Sequence, residues 1–249
     1  FMLYKIAAHA NSAVPVEVPE PQRKMDVDAV LARVSERTRI VFVSNPNNPT
    51  GSYLTIAELR RLHAGLPASV LLIVDSAYAE YVRKSDYDAG IELARANGNV
   101  VMTRTFSKVY GLAGLRVGWA YAPRHVLETL DRVRVPFNVN AAAQAAAIAA
   151  LHDTVYTEMV AAHNETWRGW LTERIRALGL PVDDSAGNFV LVRFGSRERA
   201  AEADRFLIAR GLILREMSGY GLPDSLRLTV GSEEANRAVV ESLKEFVSR

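Results

Sequence analysis

The sequence predicts an α/β protein with a large domain on a mostly parallel sheet, followed by a smaller α+β C-terminal domain. Two observations carry this. The runs Arg39–Val43, Val70–Val74 and Asn99–Thr103 are apolar and β-branched without a polar alternation, the pattern of parallel strands covered on both faces. Helical periodicity falls between them, and strand–helix alternation is the signature of an α/β layer. We place the boundary near residue 150, giving a large domain over 1–150 and a small one over 151–249.

In chain order, Val14–Val18 reads as a short strand, and Pro15 restricts it to an edge. Asp26–Arg37 reads as a helix with Val27, Val30, Leu31 and Val34 on one face. Ile40–Ser44 is a strand. Thr55-Ile56-Ala57-Glu58 is a capping box opening a helix to about Ala64. Val70–Val74, Val100–Thr103 and Val117–Ala122 are further strands. Pro123 starts a helix to about Val133, and Asn140 caps an alanine-rich one ending at Leu151. Thr154–Leu178 reads as one long helix stopped by Gly179 and Pro181. The remainder reads as strands at Phe189–Phe194, Leu212–Leu214 and Ser225–Val230, with helices at Arg197–Arg210 and from Glu233.

Composition narrows the function. The formal net charge of +2 and the absence of a long basic run leave no electrostatic footprint for nucleic acid. Zero cysteines exclude disulfides and thiolate metal sites, which suits the cytoplasm. The five histidines show no metal-ligand spacing. The longest apolar stretch, Ala141–Leu151, is too short to span a bilayer, so no membrane partner is expected. The chain opens at Phe1 directly into what reads as mid-domain sequence, so a longer parent chain is expected.

Three polar motifs follow three of the candidate strands. Asn45-Pro46-Asn47-Asn48-Pro49-Thr50-Gly51 follows the first, Asp75-Ser76-Ala77-Tyr78 closes the second, and Thr105-Phe106-Ser107-Lys108 follows the third, with Arg116 eight residues beyond the lysine. Open α/β sheets bind ligands past the carboxyl ends of their strands. An imine-forming lysine needs such a setting, held near hydroxyls and an arginine that can grip a phosphate. Plain structural readings stand beside each motif. Asn/Pro/Gly clusters make turns, Asp75 can cap a helix, Tyr78 can be a core residue with a wet tip, and Ser107 can cap a local turn.

Together with Ser225-Leu226-Arg227-Leu228-Thr229-Val230-Gly231, these motifs resemble the fold-type-I pyridoxal-phosphate aminotransferases, and within them most closely the histidinol-phosphate aminotransferases. The resemblance covers the whole chain. The four motifs together are specific for the superfamily and less so for the branch. It implies the PLP-dependent transferase fold and pyridoxal 5'-phosphate as cofactor. Lys108 would then form the imine with the cofactor and, once released, move the proton. Asp75 would face the pyridine nitrogen, and Tyr78 and Asn48 the ring's phenolic oxygen. Thr105, Ser107 and Arg116 would hold the phosphate, with Phe1 stacking on the ring. Arg227 would take a substrate α-carboxylate and Arg215 a substrate anion, the phosphate included.

By residue pattern alone, Arg227 reads as pointing to solvent between Leu226 and Leu228, and Arg215 could pair with Glu216 or another neighbour. The implied activity is transamination between histidinol phosphate and 2-oxoglutarate in histidine biosynthesis, an amino donor and a 2-oxo acid acceptor, in a cytoplasmic homodimer. An aromatic-amino-acid aminotransferase is the main alternative, a phosphothreonine decarboxylase a more distant one, and a catalytically silent domain the reading from a different class.

Overall fold

A computed structural model describes all 249 residues, Phe1–Arg249. The helices are α1 (Met2–Ala10), α2 (Val27–Leu31), α3 (Ile56–Gly65), α4 (Ile91–Ala96), α5 (Arg124–Val133), α6 (Ala141–His152), α7 (Thr154–Ala177), α8 (Arg197–Ile208) and α9 (Glu233–Val247). The strands are β1 (Ile40–Ser44), β2 (Leu71–Asp75), β3 (Val100–Thr105), β4 (Gly118–Tyr121), β5 (Phe189–Arg193), β6 (Arg215–Glu216) and β7 (Ser225–Thr229). They form two compact units. One comprises Val16–Pro46 and Tyr53–Ala161, the other Phe1–Pro15, Asn47–Ser52 and Ala162–Arg249.

The first unit holds a four-stranded sheet in the order β1-β2-β3-β4. β1, β2 and β3 are parallel, and β4 returns antiparallel to β3. Val43, Leu72, Val74, Val100 and Met102 are buried in a core shared with Leu59 and Leu62 of α3 and with Val27 and Val30 of α2. Each such side chain contributes about 1.5–3 kcal/mol through burial. The capping box is formed: Glu58 N donates to Thr55 Oγ1 at 3.2 Å and Thr55 N to Glu58 Oε2 at 2.7 Å. Asn140 caps α6 by accepting from Ala143 N at 2.8 Å. No helix of the chain is long and apolar enough to cross a membrane.

The second unit carries an antiparallel sheet ordered β5-β7-β6. Val190, Val192, Leu226 and Leu228 share one core with Leu171 and Ile175 of α7, Ala203 and Leu207 of α8, and Val240 and Leu243 of α9. Strand alternation therefore turns Phe189, Leu191 and Arg227 to the opposite face.

Three expectations fail. Val14–Val18 forms no strand. Val14 and Val16 are 74% and 59% exposed, and Pro15 within the segment and Pro19 after it cannot donate to a ladder. The helix expected over 26–37 stops at Leu31, because a turn competes for the backbone: Thr38 N donates to Ser35 O at 2.9 Å and Ser35 N to Thr38 Oγ1 at 2.9 Å. The strand expected at Leu212–Leu214 pairs instead at Arg215–Glu216, after Gly211 turns the chain with a φ of 73°. The helix α1 was not foreseen.

Candidate active site

In the first unit the parallel strands end in register. Ser44 pairs with Asp75, and Asp75 with Thr103. Asn45 N donates to Asp75 O at 2.9 Å, and Ser76 N to Thr103 O at 3.0 Å. Asp75 is thus the last residue of β2, not a helix cap. Buried Ser76 fixes the next turn through Oγ, which donates to Ala89 O at 2.7 Å. The turn delivers Tyr78, 4% exposed, as the residue preceding a 3-10 turn at Ala79–Tyr81.

Lys108 leaves β3 by a tight turn. Ser107 N donates to Thr105 Oγ1 at 3.0 Å, and Gly111 N to Lys108 O at 2.9 Å. The Thr105 hydroxyl, not that of Ser107, is the one that shapes this turn. Gly111 takes a φ of 69°, which a side chain would resist. Phe106 and Val117 seat the loop on Ala143 and Ala147 of α6, whose small side chains let it approach closely. This places Lys108 Nζ 5.2 Å from the centre of the Tyr78 ring. Arg116 sits in the left-handed region (φ 53°, ψ 51°), and its Nη1 donates to Ala113 O at 2.7 Å. Thr105, Ser107, Lys108 and Arg116 therefore lie on one turn-rich segment, with two hydroxyls and a guanidinium suited to an anion.

In the second unit, Gly51 N donates to Asn47 O at 2.8 Å, and Asn47 N to Ser52 O at 2.7 Å. Gly51 has a φ of 79°, and a Cβ there would lie 2.2 Å from Ser185 Oγ and 2.8 Å from Ser185 Cα. The glycine lets segment 185–187 dock, with Ala186 N donating to Gly51 O at 2.8 Å. Asn48 is buried and accepts from Arg227 Nη1. The Arg227 guanidinium lies 4.9 Å from the centre of the Phe189 ring, and its Nε is buried with no partner. Arg227 therefore does not simply point to solvent.

Arg215 is the cross-strand partner of Arg227, so the two arginines share a face. Glu216 accepts from Ser218 N at 2.6 Å. Phe1 caps α1 and meets Tyr4 edge-on at 5.5 Å, 43% exposed.

Two residues beside the lysine turn escaped sequence reasoning. Arg104 Nη2 and Glu80 Oε1 form a 2.7 Å ion pair, with side chains 18% and 14% exposed. Burial, and after it the Glu80 charge, push the Tyr81 phenol up to about 12 and raise Tyr110. The available signal was a charged residue near the end of an otherwise apolar strand.

The sequence matches the family described as Aminotransferase class I and II over residues 1–243. The histidinol-phosphate aminotransferase of Dinoroseobacter shibae is 55% identical over 246 residues, which is 99% of this chain and 68% of that protein. That of Nitrobacter hamburgensis is 50% identical over 251 residues, 100% of this chain and 69% of that protein. The crystal structure of the Sinorhizobium meliloti histidinol-phosphate aminotransferase in complex with pyridoxal-5'-phosphate superposes with a TM-score of 0.92 at 29% identity, covering 100% of this chain and 68% of that one. The chain belongs to the class I and II aminotransferases.

Proposed function

We propose that the protein transfers the amino group of histidinol phosphate to 2-oxoglutarate, with pyridoxal 5'-phosphate as cofactor. The carrying observation is Lys108 Nζ held over the buried Tyr78 ring, at the strand-end edge where Asp75 closes β2. The donor set fits this cofactor: an amine for its aldehyde, a carboxylate for its ring nitrogen, and the hydroxyls of Thr105 and Ser107 with Arg116 for its phosphate. Bound there, it supplies an electron sink for the pair left behind when a proton leaves the amine-bearing carbon. Lys108 holds and moves that proton at Nζ. Asp75 favours the charged form of a ring nitrogen beside it. Tyr78 and Asn48 donate to an oxygen of the ring, and Phe1 is assigned the stacking face.

Arg227 and Arg215 recognise the substrate anions, Arg227 the carboxylate and both the phosphate. A guanidinium fork serves either anion. The reading includes a cytoplasmic homodimer. Exposed Leu130, Val133, Val135 and Phe137 support a protein partner for this face, and a cysteine-free sequence supports the compartment.

The test is borohydride reduction of the full-length, cofactor-loaded protein, followed by peptide mapping. The adduct is expected on the peptide containing Lys108. An adduct on another lysine overturns the assignment. Side-by-side assays with histidinol phosphate and phenylalanine decide the donor, and preference for phenylalanine would replace this reading with an aromatic aminotransferase.

A further inference from the structure

We infer that the Glu80–Arg104 ion pair is a positioning device that sets the approach of Lys108 to Tyr78. The inference rests on the functional reading above. β2 and β3 are bonded backbone to backbone as far as Ser76 N to Thr103 O, at 3.0 Å. Past that bond the chains diverge. One turns through Tyr78 and the 3-10 turn at Ala79–Tyr81, and the other runs through Thr105 into the Lys108 turn. The 2.7 Å contact from Arg104 Nη2 to Glu80 Oε1 ties the two beyond the ladder. Glu80 stands two residues after Tyr78, and Arg104 four before Lys108.

Packing argues that this tie serves geometry rather than stability. Glu80 Oε2 and Arg104 Nε are buried without a well-formed hydrogen bond, the Tyr110 phenol also being drawn toward Glu80. A buried pair with unsatisfied atoms is often matched or bettered by apolar residues of the same volume. The pair is nonetheless held firmly. Arg104 lies 5.8 Å from the ring centre of Trp119, its cross-strand partner. Nearby, the phenols of Tyr81 and Tyr110, neutral at physiological pH even at their ordinary value, are raised further by burial first and the Glu80 charge second. The two charges remain each other's counterions, and the link has a defined length.

The experiment uses the full-length protein without cofactor, so the readout does not depend on turnover. Reductive methylation of every lysine is followed by mass spectrometry in the wild type, Glu80→Gln, Glu80→Asp and Arg104→Lys. Glu80→Gln keeps the size and removes the charge. Loss of the Tyr78 ring face should free the Lys108 amine for the reagent and raise its labelling rate about two- to fivefold. Lys5 and Lys244 should label at wild-type rates. Arg104→Lys keeps the charge and should fall between wild type and Glu80→Gln.

Unchanged Lys108 labelling in a folded Glu80→Gln protein overturns the inference. If Glu80→Gln fails to fold, Glu80→Asp, which shortens the tie by one methylene, must still accelerate Lys108 selectively. Failure of all three variants to fold would make the pair a structural strut and overturn positioning. Borohydride mapping separates the two claims: an adduct on another lysine sinks the functional reading, whereas the labelling data judge the pair by themselves.

Discussion

Replacing Arg215 with alanine should weaken anion binding while leaving the unliganded protein as stable or slightly more so. β6 and β7 pair Arg215 directly with Arg227, and cross-strand neighbours have Cβ atoms about 4.5–5.5 Å apart. Two unit charges about 6 Å apart in water repel by roughly 0.7 kcal/mol. Exposure of Arg215 and salt reduce that to a few tenths, so its removal is neutral to mildly favourable for folding. Binding goes the other way. A charge-assisted hydrogen bond to a phosphate is worth about 1.5–3 kcal/mol, or roughly one to two powers of ten in the Michaelis constant for histidinol phosphate. Phenylalanine carries no distal anion, so its constant should move by less than about threefold.

The assay is steady-state kinetics with both donors, alongside urea denaturation without ligand. The two measurements should move in opposite directions. A structural arginine would lose stability and leave the ratio of the two donors unchanged. Unchanged histidinol phosphate kinetics with efficient use of phenylalanine would refute the argument and leave the aromatic aminotransferase reading in its place.

Other perturbations test the remaining parts. Asp75→Asn keeps the size of the β2 terminus and removes its charge, so cofactor should still bind while turnover falls about a hundredfold or more; near-normal turnover would leave Asp75 a purely structural strand end. Gly51→Ala combines a left-handed backbone costing about 1–2 kcal/mol with a clash on Ser185 costing about 1–3 kcal/mol, and urea melts followed by tryptophan fluorescence should show the sum. Gly169→Ala, inside α7 with nothing within 4 Å of the new Cβ, should instead stabilise by up to about 1 kcal/mol.

Burial pushes the Glu58 carboxyl up, but hydrogen bonds from Lys24 and Thr55 outweigh it and hold the pKa below its ordinary 4.5. A lowered folded value gives stability that is present above 4.5 and lost as pH falls through the folded value. Glu58→Gln should therefore melt earlier than wild type at neutral pH and converge with it in acid.

The strand ends were legible because parallel strands announce themselves locally. Ile40–Ser44, Leu71–Asp75 and Val100–Thr105 are runs that a five-residue window detects, and a parallel sheet brings their carboxyl ends to one edge. The motifs holding Asp75, Tyr78 and Lys108 could thus be assigned to that edge without knowing their partners. Arg227 was harder. Its neighbours Leu226 and Leu228 suggested a solvent-facing residue, and only a partner 179 positions away, Asn48, and the Phe189 ring show otherwise.

Arg215 was expected on a second strand of the small domain able to share a face with Arg227, but that strand was centred on Leu212–Leu214 because those residues are apolar. The ladder instead forms at Arg215–Glu216, opposite Arg227 and Leu226. No local propensity selects two arginines as direct cross-strand neighbours, and none places Glu80 and Arg104 in contact with atoms left unsatisfied. Stability alone disfavours both arrangements. Departures of this kind from the local rules concentrate at functional sites. For the arginines the demand we propose is an anion. For the Glu80–Arg104 pair it is the distance between an amine and a phenol ring.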